Sequence, residues 1–111
     1  MNITSKKVND VLVIVVQGEI MGGTDAESFK NAIYKSIEDD VTNIVVDLKK
    51  ATWMNSSGLG MLITGLTTVR SSGGDLFLAQ VSERIRRPLE VTKLDSVFSI
   101  YDTVDEAIAG F

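Results

Sequence analysis

Apolar residues along this chain switch between two spacings. Val11-Leu-Val-Ile-Val-Val16 is an unbroken aliphatic run rich in β-branched residues, the pattern of a strand covered on both faces. Ile3 to Val8 pairs with it as an edge strand across an Asn9-Asp10 turn. After Gly22-Gly23, Thr24 and Glu27 have the spacing of a capping box. Phe29, Ile33 and Ile37 then recur every fourth residue, which predicts a helix over about 25–38. Ile44 to Leu48 reads as a second buried strand, and 49–55 as a connecting segment. Leu62, Ile63, Leu66 and Val69 take helical spacing until Gly73-Gly74, and Leu76 to Ala79 makes a third buried strand. Ser82 opens a short helix through Ile85 and Leu89, bent or shortened by Pro88. Val97 to Ile100 is a final short strand, and Thr103 with Glu106 opens a last helix through Val104, Ile108 and Phe111.

Strands alternating with helices predict one α/β domain over 1–111. Its sheet is mixed but mostly parallel, with about four to five strands and about four helices joined by right-handed crossovers. A chain of 111 residues buries roughly two-thirds of its unfolded surface and needs no staple.

Composition removes several chemistries. The chain has no cysteine and no histidine, so disulfides, thiol nucleophiles, ordinary zinc sites and serine–histidine pairs are all excluded. Its net charge of −4 disfavours a nucleic acid partner. The longest apolar run, Val11 to Val16, falls far below the roughly 20 residues of a membrane span, and the N-terminus lacks the apolar stretch of a signal peptide. For a bacterial source these features predict a cytoplasmic protein. Asp39-Asp40 has no companion ligands in sequence and reads as a solvated loop, so no metal and no cofactor are expected.

The chemistry concentrates around Ser56. A strand ends near Leu48, and a helix begins among Ser56, Ser57 and Gly58. A hydroxyl there stands at the positive end of a helix dipole beside unpaired N–H groups. An N-cap serine with glycines allowing close packing accounts for this spacing. So does a phosphorylation site, because a helix N-terminus accommodates a phosphate. Other phosphate motifs fail: Gly58-Leu-Gly60 is followed by Ile63 where a dinucleotide fingerprint needs glycine, and there is no P-loop.

Asn55-Ser-Ser-Gly-Leu-Gly60 closely resembles the signature of the STAS domain of anti-sigma factor antagonists, Asp-Ser-Ser/Ala-Gly-Leu-Gly. The resemblance covers essentially the whole chain. Gly18-Glu-Ile20 with Thr24, the strand Ile44–Leu48, Gly73-Gly74-Asp75 and the ending Leu94–Asp102 fit the family in order.

The resemblance implies a partner switch. The unmodified protein binds an anti-sigma factor that is also a serine kinase, and so frees a sigma factor. The kinase phosphorylates the first serine of the motif, Ser56, which ends the complex, and a PPM-type phosphatase restores it. On this reading the chain is a binding module and a kinase substrate, not an enzyme. Asn55, Ser57, Gly58, Gly60, Met21 and Thr24 flank the site. Ser57 is expected to be occupied as a cap. Met54, Met61, Thr64 and Thr68 are expected to form a methionine-rich docking surface.

Two positions depart from the family. Asn55 and Met21 stand where aspartate is usual, removing two negative charges near the serine. Either phosphorylation is eased, or the kinase differs from the usual one, or this member no longer cycles. The alternative function is a STAS scaffold without phosphorylation, a subunit of a signalling or lipid-transport complex. A nucleotide-binding role lacks any basic residue near the glycine motif. Trp53, where the family places an aromatic, reads as core packing, or alternatively as a partner contact. Residues 83–93 carry Arg84, Arg86, Arg87 and Lys93 against Glu83 and Glu90. That local +2 reads as a solvated helix face, or alternatively as a patch for an acidic partner.

Overall fold

The computed structural model describes residues 1–111. β1 (Asn2–Val8) and β2 (Val11–Ile20) form an antiparallel hairpin running from Val8 opposite Val11 to Asn2 opposite Gln17. Asn9 takes the positive φ of the turn, 55°, a conformation that asparagine tolerates better than most residues. The chain then alternates: α1 (Thr24–Glu38), β3 (Asn43–Asp47), β4 (Ala51–Met54), α2 (Ser56–Ser71), β5 (Asp75–Ala79), α3 (Glu83–Val91), β6 (Ser99–Tyr101) and α4 (Val104–Ala109). The main sheet has the order β1-β2-β3-β5-β6, with β4 pairing β2 beyond the end of β3. Every pairing except β1–β2 is parallel.

The buried strands separate two apolar layers. Ile14, Val16 and Ile20 of β2 join Phe29 and Ile33 of α1, Leu62, Leu66 and Val69 of α2, and Ile85 and Leu89 of α3. Val11 and Val13 join Val45, Phe77 and Ala107 of α4 in the second layer. The unbroken run 11–16 is therefore covered on both faces, as its pattern required. No helix is long and apolar enough to cross a membrane.

Four local expectations are corrected. The segment after Leu48 contains strand β4, too short and too irregular in pattern to stand out; its pairing shifts at Gly18, so that Glu19 faces Trp53. Thr24 does not cap α1: Gly23 occupies the cap position with φ 64° and no side-chain bond, and Thr24 is the first helical residue. Pro88 lies inside the short helix α3, Glu83–Val91, which also holds Ile85 and Leu89 and lacks the one hydrogen bond that the missing N–H would make. The last strand begins at Ser99 rather than Val97, because a 3-10 turn, Leu94–Ser96, uses the preceding residues. Helix α4 stops at Ala109, and Phe111 lies beyond it, stacked on Phe77 with ring centroids 4.1 Å apart. The Thr103 cap is present, its hydroxyl accepting from the Glu106 N–H at 3.1 Å.

Candidate functional site

The site lies where β2 and β4 both run out and α1 and α2 both begin. Parallel pairing sets Ile20 beside Met54, so the chain leaves the two strands side by side. Met21-Gly22-Gly23 then turns into α1, and Asn55 turns into α2. The Asn55 N–H donates to the Ile20 carbonyl at 3.2 Å, holding the two turns together.

Asn55 is the N-cap of α2. Its Oδ1 accepts the Gly58 N–H at 2.8 Å, and its carbonyl accepts the Leu59 N–H at 2.9 Å. Asparagine and aspartate serve about equally well in this position, so the departure from aspartate keeps the helix start and removes only the charge. This corrects the expectation that a serine caps the helix. Ser56 and Ser57 are the first two helical residues, neither hydroxyl makes a hydrogen bond within the protein, and neither N–H has a protein acceptor. Two free hydroxyls and two free donors thus stand at the positive end of a 16-residue helix.

The surroundings distinguish the two serines. Gly22, with φ 79°, packs beside Ser57: a Cβ on Gly22 would lie 2.9 Å from that of Ser57. Both serines are exposed, but Ser57 also lines a cleft of about 250 Å³ between α1 and α2, which Ser56 does not. Gly60 lies in the same cleft, and a side chain there would meet nothing within 4 Å. No acidic residue occupies the first turn of α2, in contrast to Asp25 and Glu27 of α1. Thr24 stands in the first turn of α1 with its carbonyl accepting from the Ser28 hydroxyl at 3.3 Å.

The methionine surface is not there. Met54 and Met61 are 3% and 6% exposed and belong to the main core; Met61 only borders the cleft. Thr64 and Thr68 do line the cleft, but the Thr68 hydroxyl donates to the Thr64 carbonyl at 2.8 Å. The exposed apolar groups at this end are instead Met21 and Trp53, each 45% exposed. Trp53 is therefore not a core residue. It stands opposite Glu19 on the β4 strand that sequence pattern left as a connection. Lys30 and Tyr34 of α1 also line the cleft, with the Lys30 ammonium 5.4 Å from the Tyr34 ring centroid. Their spacing of four residues was the only sequence signal for them.

Comparison with known proteins fits this geometry. The STAS domain model matches residues 2–107. Anti-sigma-F factor antagonist RsfB of Mycobacterium tuberculosis is 30% identical over 102 residues, which is 92% of this chain and 82% of that protein. The crystal structure of an anti-sigma factor antagonist from Mycobacterium paratuberculosis matches with a TM-score of 0.83 at 27% identity, covering 98% of this chain and 92% of the other. The Bacillus cell fate determinant SpoIIAA in its phosphorylated form shares the fold, with a TM-score of 0.76 at 22% identity, covering 97% of each chain. All six strands, the first three helices and the Asn55–Gly60 turn lie within the matched span, and the chain belongs to the STAS domain family.

Proposed function

We propose that this protein is an anti-sigma factor antagonist whose binding is switched by phosphorylation of Ser56. The observation that carries the reading is the Ser56 hydroxyl: exposed, unbonded, at the N-terminus of α2, in a turn free of carboxylates. The relatives named as anti-sigma factor antagonists supply the partner class. That SpoIIAA is known in a phosphorylated form supports a covalent switch on this fold.

Unmodified, the end of the molecule around Ser56 offers Met21 and Trp53 as apolar contacts and the free serine groups as polar ones. An anti-sigma factor seated there covers Ser56. If that partner is also a kinase, the Ser56 oxygen attacks the γ-phosphorus of its Mg-ATP; ADP leaves and the hydroxyl proton passes to solvent or a base on the kinase. The product carries about −1.5 to −2 charges. The helix dipole and the free N–H groups stabilise that phosphate while it is hydrated. Enclosed against an apolar partner it loses water, at a cost of several kcal/mol unless a cation pairs it. The phosphorylated protein is therefore stable and the complex is not. A PPM-type phosphatase transfers the phosphoryl group to water, releases inorganic phosphate and restores binding.

The neutral Asn55 and Met21 make this phosphate easier to accept than two aspartates would. The test is incubation with the cognate anti-sigma kinase and Mg-ATP, followed by fragmentation mass spectrometry. Phosphate on Ser56 is the expected result. Phosphate on Ser57 alone, or on neither serine, favours the scaffold reading, in which the same surface holds a partner permanently.

A further inference from the structure

We infer that the outer face of α3 is a second docking surface, built for an acidic segment of a partner protein and independent of Ser56. The helix buries Ile85 and Leu89 against the core. Arg84, Arg87 and Val91 follow at i, i+3 and i+7, so they share one face, and all three are exposed. Val91 is 76% exposed, more than any other large hydrophobic residue of the protein. Past the helix end the chain exposes Lys93, with φ 62°, then Asp95 and Val97. Glu83 and Glu90 neighbour Arg87 at i−4 and i+3 on the same exposed side, so the helix face is mixed in sign with arginine in excess.

Three of the chain's four arginines lie on this helix. The ion pairs of the molecule involve the N-terminal amine, Lys35 and Arg70. None of Arg84, Arg86, Arg87 and Lys93 has a carboxylate oxygen within 4.0 Å, so none is held in an ion pair within the fold. A solvated face needs charge but not arginine in particular, and it does not need an exposed valine between charges. Arginine with an apolar neighbour is the composition of protein interfaces, where the guanidinium fork takes a carboxylate in two parallel hydrogen bonds.

Charge selects the occupant. The whole chain is −4, so an extended polyanion such as a membrane surface or a nucleic acid meets net repulsion beyond the patch. A short acidic segment touches only the stripe, and at physiological salt, with a Debye length of about 8 Å, it is screened from the rest. The fitting ligand is a helix or strand with two or more carboxylates beside a branched aliphatic residue.

The probe is a 14-residue synthetic peptide with glutamates and leucines on one helical face, titrated into the isotope-labelled full chain and followed by amide chemical shifts. A second peptide carries glutamine at every glutamate. Expected are shift changes confined to 84–97, absent with the glutamine peptide, and an affinity at least about tenfold weaker at high salt. The variant Arg84→Glu/Arg87→Glu, both changes on exposed side chains, should lose binding while its remaining spectrum is unchanged. Ser56→Asp should bind the peptide as wild type does, which separates this surface from the phosphorylation site. Absent shifts, shifts spread over the molecule, or equal binding of the glutamine peptide overturn the proposal. So does co-sedimentation of the wild type with vesicles of phosphatidylglycerol and phosphatidylcholine when the peptide does not bind.

Discussion

Gly58 rests on the backbone carbonyl of Ile20: a methyl group built on its Cα would overlap that oxygen. The same carbonyl accepts the Asn55 N–H. One peptide unit at the end of β2 therefore fixes both where α2 starts and how closely it approaches the sheet. The position of Ser56, between Asn55 and Gly58, follows from these two contacts.

Gly58→Ala should destabilise the protein by about 2 kcal/mol or more, because the obstacle is backbone and cannot swing aside. Gly60→Ala should do the reverse and stabilise by about 0.5–1 kcal/mol, since its methyl group enters open space inside a helix. Urea unfolding of both variants checks the pair. Equal effects from the two would mean that α2 does not start as described.

Asn55→Ala removes the only side-chain cap of α2 and should cost about 1 kcal/mol. Asn55→Asp keeps the cap and places a charge at the helix start, so its stability should equal or exceed the wild type by up to about 1 kcal/mol. The same aspartate should oppose a phosphate on Ser56. Unfolding midpoints and the rate of phosphorylation by the partner kinase should thus move in opposite directions for Asn55→Asp.

Trp53 and Met54 are neighbours with opposite fates. Met54→Ala, at a core position, should cost about 2–5 kcal/mol of stability. Trp53→Ala, at a half-exposed position, should cost about 1 kcal/mol or less in stability and about 2 kcal/mol in affinity for the anti-sigma partner, the scale of an aromatic anchor. Calorimetric titration beside urea unfolding separates the two. A Trp53→Ala protein that binds normally removes Trp53 from the interface.

Ser56→Asp should weaken partner binding by at least about 2 kcal/mol, roughly thirtyfold, while Ser56→Ala should keep binding and abolish regulation. Calorimetry on both variants is the measurement. A folded Ser56→Asp protein that binds as tightly as wild type would place Ser56 outside the interface.

The aliphatic run Val11–Val16, the four-residue recurrence of Phe29 and Ile33 and the Thr103 cap were legible in sequence because each is a local pattern with one structural solution. The Asn55–Gly60 motif was legible as a helix start, and its resemblance to the STAS signature pointed to the candidate site, whereas its spacing alone allowed either a cap or a phosphorylation site. What the sequence left open were choices between neighbours. Asn55 and Ser57 both carry a capping oxygen, and only the contact with Ile20 sets the helix boundary that selects Asn55. Thr24 has capping chemistry, but Gly23 takes the cap position. Met54 and Met61 on one side, Trp53 and Met21 on the other, are all apolar, and no local pattern tells which of them is buried. That was decided by β4 pairing with β2 far away in sequence, which turns Met54 into the core and leaves Trp53 outside. Local spacing determines which elements form; burial of a given face depends on what packs against it, and that is a property of the assembled fold.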